Sequence, residues 1–269
     1  MVTAARLRAD IERLKALRGA RRGAVPEDRA RFATAVGLPD LDPWQLRLLR
    51  SEAPRVLLNC SRQSGKSTMA GVVALHRALH VPGSLVLILA PAERQAKELF
   101  AKVAESYRAL GHPMPTDSYR KLGVAFANGS RIEALPGTEK TIRGFSGASL
   151  LVLDEASRVA DELYYAVRPM LAVSGGRLLM LSTPFGKRGV FHQEWTEGEG
   201  WERYEVPAAD VPRIPPAFLE EERRSLPAWI YRQEYECSFE DTEDQLFGFD
   251  LVQSSITDEV TPLFPMEAS

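Results

Sequence analysis

Short apolar runs alternate along this chain with segments whose apolar residues recur at helical spacing. The runs at 56–58, 84–90, 149–153 and 177–181 are near-continuous, the pattern of strands buried on both faces. Between them, residues 69–79, 92–110 and 161–170 read as helices. Residues 123–127 and 130–135 flank Asn128-Gly129, a strong two-residue hairpin signal. Strands alternating with helices predict an α/β fold on a mainly parallel, doubly wound sheet. In such a sheet, functional residues belong at the carboxyl ends of the strands.

The flanks read differently. Leu7, Ile11, Leu14 and Leu17 lie at helical spacing within residues 3–18, and the GARRG stretch at 19–23 breaks that helix. A second short helix is expected over 26–36, with Pro26 in its first turn. A third opens at Asp42, a plausible N-cap, and Pro43, at the first helical position. After residue 188 the composition shifts. A strand is expected at 201–206, then helices at 215–226 and 227–237, each opening with Pro, as a small subdomain beside the sheet. The expected division is an N-terminal helical arm (1–39), a core (40–199), the subdomain (200–245) and a linker or tail (246–269).

At 269 residues, 45% hydrophobic and 26% charged, the chain has the composition of a globular protein able to bury a large core. No apolar run approaches the roughly 18 to 20 residues of a membrane span. Cys60 and Cys237 form no C-x-x-C pair and the four His are scattered, so a reducing cytosol and no structural metal are expected. The net charge of −2 hides an asymmetry. Residues 194–269 hold 5 Lys/Arg against 19 Asp/Glu, leaving 29 against 17, or +12, on residues 1–193. A basic first part suits a polyanionic partner such as nucleic acid, although a basic surface also serves solubility.

Chemistry concentrates at strand ends. Residues 55–68, RVLLNCSRQSGKST, place an apolar strand, a small-residue loop and a helix in the context that a phosphate-binding P-loop requires. The loop's N–H groups and the helix N-terminus would wrap phosphates, Lys66 would reach the β/γ-phosphates, and the Ser67 hydroxyl would ligate Mg²⁺. Cys60 stands where the consensus has its first Gly, so Gly65-Lys66-Ser67 carries the match. The plain alternative is a Gly-Lys turn between a strand and a helix. The run at 150–153 delivers Asp154, suited to hold Mg²⁺ beside Ser67, and Glu155, suited to deprotonate an attacking water. That Glu points to hydrolysis. Arg62 in the loop and Arg143, followed by Gly144, are candidates to neutralise charge in a phosphoryl-transfer transition state. Arg143 serves equally as a surface residue. Ser182-Thr183, before Pro184, would sense the γ-phosphate or cap a turn. The Gln45 amide can donate to and accept from an adenine edge at once, although alone it reads as a surface residue and Trp44 as a core one.

Taken in order, Pro43-Trp44-Gln45, Ser61-Arg62-Gln63-Ser64-Gly65-Lys66-Ser67, Ile142-Arg143-Gly144, Leu150 to Ala156 and Ser182-Thr183-Pro184 resemble the ATPase domain of the large terminase subunit of tailed bacteriophages. The resemblance covers residues 40–245. It implies an ASCE-type P-loop NTPase core flanked by helices, with a C-terminal lid over 200–245. It further implies a nucleotide site formed by Gln45, Ser61 to Thr68 and Mg²⁺ ligands Ser67 and Asp154. Catalysis would fall to Glu155 with Lys66, Arg62 and Arg143, the last as an arginine finger acting between subunits of a homo-oligomeric ring. Ser182-Thr183-Pro184 would couple ATP hydrolysis to movement of double-stranded DNA into a procapsid. Portal protein and small terminase subunit are the implied partners, and the host cytoplasm the implied location. Relatives continue into a metal-dependent nuclease, and the acids for one are not visible here, so nuclease activity is not expected. Two other readings use the same motifs: a helicase-like DNA translocase of the DEAD-type superfamily, and a nucleotide-gated assembly switch without motor activity.

Overall fold

The computed structural model describes residues 25–137, 142 and 144–241. The helix expected at 3–18, the finger candidate Arg143 and the tail at 246–269 lie outside the described residues.

The first described helix, α1 (Arg29–Ala35), starts later than the sequence suggests, because Asp28 accepts a hydrogen bond from the Arg31 N–H at 2.8 Å and caps it. Pro26 therefore precedes the helix. α2 (Pro43–Arg50) begins as expected, with Asp42 as its N-cap. The chain then runs through β1 (Arg55–Cys60), α3 (Lys66–His80), β2 (Leu85–Ala90) and α4 (Glu93–Ala109). Three strands follow: β3 (Thr116–Arg120), β4 (Gly123–Phe126) and β5 (Arg131–Pro136). β6 (Ala148–Asp154), α5 (Asp161–Val167), β7 (Arg177–Ser182) and α6 (Gly189–Thr196) complete the middle of the fold. The helix expected to reach 170 ends sooner, and Arg168–Leu171, which contains Pro169, continues as a 3₁₀ turn. Last come β8 (Glu202–Val206), α7 (Pro216–Ser225) and α8 (Ala228–Tyr235).

One eight-stranded sheet has the order β3-β4-β5-β2-β6-β7-β1-β8. From β5 to β8 every pairing is parallel, while β3, β4 and β5 form an antiparallel meander. The strand read as the start of the small subdomain is thus the sheet's edge, paired along β1 from Val56↔Glu202 to Cys60↔Val206.

The apolar runs are continuous because both sheet faces are covered. Val56, Leu58, Leu150 and Val152 join one core with Phe32 of α1, Leu48 of α2, Met69 and Leu75 of α3 and Leu99 of α4. Leu57, Leu151, Leu153 and Met180 point the other way, against Tyr164 of α5 and Phe191 of α6. A period of two on strands buried on both sides leaves no polar face to read. The Asn128-Gly129 turn also docks on α3: the Asn128 amide donates to the Ala78 carbonyl at 2.9 Å and the Ser130 hydroxyl to the same oxygen at 2.5 Å. These bonds satisfy a carbonyl left without an intrahelical partner at the helix end.

Leu151 is fully buried in the central strand β6. Leu151→Ala is expected to cost about 2–5 kcal/mol. Urea denaturation checks it: the midpoint falls and the slope stays unchanged.

Candidate active site

The carboxyl ends of β1, β6 and β7 converge on one cleft of about 600 Å³. In the loop leaving β1, Gln63 and Gly65 both take left-handed backbone (φ 58° and 91°) before α3 starts at Lys66. A side chain at Gly65 would be strained by that φ and would meet the Gln45 Nε2 at 3.1 Å. The loop is held from several sides. The Ser61 N–H donates to the Val206 carbonyl of β8 at 2.9 Å, and the Arg62 N–H to the Glu234 carbonyl of α8 at 3.1 Å. The Arg62 side chain pairs with the Glu234 carboxylate as well. Arg213 donates to the Ser64 carbonyl at 3.0 Å and to Asp42 Oδ1 at 2.8 Å, tying the loop to the cap of α2.

Lys66 is nearly buried, and its Nζ donates to Thr183 Oγ1 at 3.1 Å. The Gly-Lys-Ser turn is thereby joined to the end of β7. Ser67, Asp154 and Glu155 line the same cleft. Asp154 Oδ1 accepts the Glu155 N–H at 3.1 Å, and Glu155 itself has left-handed backbone (φ 50°). Burial, reinforced by the Glu155 charge, pushes the Asp154 carboxyl up to about 7, while Lys66 and the Glu155 N–H pull it back. Behind the acids, the Ser157 and Ser182 hydroxyls meet at 2.6 Å, and each lies 2.8 Å from the Thr183 carbonyl. Pro184 follows, buried. The segment after β6 and the end of β7 are one hydrogen-bonded unit.

Other predicted residues sit behind the cleft rather than in it. Gln45 is buried, not on the surface, and its Oε1 accepts the Asp42 N–H at 3.0 Å. The Ser61 and Ser64 hydroxyls are buried without a hydrogen-bond partner among the described residues. Thr68 lies in the first turn of α3. Cys60 is wholly buried, and burial pushes its thiol up to about 12. The cleft's opposite wall is a stripe that the sequence analysis missed: Arg94, Glu98 and Lys102 on α4. Their i, i+4, i+8 spacing was a visible signal, because it sets three charges on one face of a helix that follows a core strand.

These residues suit a nucleotide with Mg²⁺. The loop approaches without a Cβ at Gly65, and a hydroxyl and a carboxylate in one cleft are hard oxygen donors of the kind that cation takes. A strand-loop-helix ending in Gly-Lys-Ser, with β7 inserted between its strand and the strand carrying the acids, defines a P-loop NTPase core of ASCE type. The family profile "Terminase large subunit, T4likevirus-type, N-terminal" matches residues 57–254, and the chain belongs to this family. The large terminase subunit of Thermus phage G20c is 30% identical over 210 residues, covering 71% of this chain and 43% of that protein. The chain therefore spans less than half the length of that relative. The ATPase domain of the Thermus phage P74-26 large terminase superposes with a TM-score of 0.70 at 25% identity, covering 78% of this chain and 98% of that domain. A large terminase from a thermophilic bacteriophage, solved in complex with ATP-γ-S, shares the fold at a TM-score of 0.61 and 13% identity, over 74% of this chain and 53% of that one. Among the described residues, no helix is long and apolar enough to cross a membrane.

The raised Asp154 carboxyl carries a pH signature. An acid that ionises near 4 in the unfolded chain and near 7 in the fold makes stability fall as pH rises between those values. Asp154→Asn removes this penalty. In thermal melts without divalent metal, the variant is expected to melt above the wild type at pH 8, with the gap closing toward pH 4.

Proposed function

We propose that this chain is the ATP-hydrolysing motor domain of a viral DNA-packaging terminase, coupling hydrolysis to movement of double-stranded DNA into a procapsid. One observation carries the reading. The Lys66–Thr183 hydrogen bond joins the phosphate loop to the end of β7 within the cleft that holds Asp154 and Glu155. The ATP-γ-S bound by the thermophilic phage terminase supports a nucleotide as the ligand, and the +12 charge of residues 1–193 supports a polyanionic partner.

The loop N–H groups and Lys66 bind the triphosphate, with Arg62 beside them. The Ser67 hydroxyl and the Asp154 carboxylate would hold Mg²⁺, which would supply charge neutralisation to the triphosphate. Glu155 accepts the proton of a water whose oxygen bonds to the γ-phosphorus as the bond to the β-phosphate oxygen breaks. A γ-phosphate competes with Thr183 for Lys66. Its arrival releases Thr183 and, through Ser182 and Ser157, shifts the segment that follows Glu155. Ser182-Thr183-Pro184 is thus the coupling element. Gln45 is assigned to the adenine edge, and its Oε1 accepts the Asp42 N–H. Helices α7 and α8 act as a lid, which begins after β8 rather than before it, with Arg213 and Glu234 as its attachments to the loop. Arg143 serves as the finger in trans within a homo-oligomeric ring that docks on a portal protein with a small terminase subunit, in the host cytoplasm.

ATP turnover tests this against protein concentration for wild type, Glu155→Gln and Arg143→Ala, singly and mixed. Glu155→Gln is expected to lose roughly 10²- to 10⁴-fold in kcat, the range of general-base contributions. Both variants are inactive alone and a mixture recovers turnover. Normal hydrolysis by Arg143→Ala at every concentration overturns the finger, and no hydrolysis by wild type with DNA present overturns the motor reading.

A further inference from the structure

A second pocket, of about 200 Å³, opens at the other end of the sheet, against the amino ends of β6 and β7 and the last turns of α3. Three guanidinium groups line it: Arg29 of α1, Arg77 of α3 and Arg177 of β7. Their donors are unevenly used. Arg29 is occupied by the Leu49 and Ser51 carbonyls and by Glu52 at 2.9 Å. Arg77 spends its Nε on the Ser149 hydroxyl at 2.5 Å and has no ion-pair partner among the described residues. Arg177 donates to the Ser51 hydroxyl at 3.0 Å, while its Nε is buried without a hydrogen-bond partner among the described residues.

Charge is equally unbalanced. Glu52 is the acid that lines the pocket beside the three cations, and its side chain is 80% exposed. Glu202 is hydrogen-bonded to the group through Ser51, whose hydroxyl donates to it at 2.5 Å. Burial and the neighbouring Arg29 hold the Arg177 guanidinium below its ordinary range, with Glu52 and Glu202 opposing. A buried guanidinium donor without an acceptor is costly unless something supplies one. Planar guanidiniums match the oxygens of a phosphoryl group, and the pocket has room for one.

We propose that Arg29, Arg77 and Arg177 form an oxyanion site for one phosphoryl group, either free phosphate or a phosphodiester of nucleic acid. It lies at the opposite end of the sheet from the nucleotide cleft and does not rest on the function proposed above. Lys66 opens α3 and Arg77 lies eleven residues on, roughly 16 Å along the same helix. The two sites therefore share a rigid connection.

The test uses the full chain carrying Lys66→Ala, so that the phosphate loop does not account for binding. Sodium phosphate is titrated by calorimetry and thermal shift against sodium chloride at equal ionic strength. A saturable phosphate response is expected, weakened at least tenfold by Arg77→Gln, whose melting without phosphate matches its parent. Glu52→Gln, which removes the facing acid, tightens it. A response that survives Arg77→Gln unchanged, or none beyond chloride, overturns the site. A short DNA duplex then separates the sources. Duplex that competes with phosphate and loses affinity with Arg77→Gln makes the backbone the ligand, whereas duplex binding indifferent to Arg77 makes it free phosphate.

Discussion

Strand β1 has neighbours on both edges and helices over both faces, so each of its backbone groups must be paired along the ladder. That constraint decides where the chemistry sits. Parallel pairing of β1 with β7, and of β7 with β6, aligns three carboxyl ends, so a loop, an acid pair and a Ser-Thr-Pro turn emerge together. A slip of one residue would invert every side chain of a strand between the two cores. Because Leu57 and Leu58 belong to different cores, such a slip is costly in either direction.

The phosphate loop is less autonomous than its sequence suggests. Much of what holds it lies far along the chain: Val206, Arg213 and Glu234 contact it directly, and the Asn59 amide just before it donates to the Cys237 carbonyl at 2.8 Å. Left-handed residues at Gln63 and Gly65 are tolerable because these contacts over-determine the loop. Glu234 of α8 thus holds the loop at Arg62 through both its carbonyl and its carboxylate.

What was legible in the sequence is what one strand and its own ends specify. The apolar runs marked β2, β6 and β7, and the strand-loop-helix marked Lys66 and Ser67, since those signals are local. β3 escaped because Thr116–Arg120 is a polar, largely exposed edge whose order comes from pairing with β4. β8 was seen as a strand but not as part of the sheet, because pairing with β1 is a long-range choice that composition does not encode. α6 gave little period to read. Gln45 looked like a surface residue, and only the close packing of α2 against the loop makes it buried. The Arg94, Glu98 and Lys102 wall was readable as a stripe but not as the side of a cleft, which requires knowing where α4 packs.

The cysteine at the loop's first consensus position has a chemical consequence. Cys60, the last residue of β1, is wholly buried, and burial pushes its thiol up to about 12. At neutral pH the thiol stays protonated, and the reactive thiolate is scarcer than that of an exposed cysteine. A cysteine at this position lacks glycine's backbone freedom and, buried, is a poor nucleophile. Oxidants and alkylating agents that find exposed thiols meet, beside the phosphate loop, a sulfur that behaves as hydrocarbon.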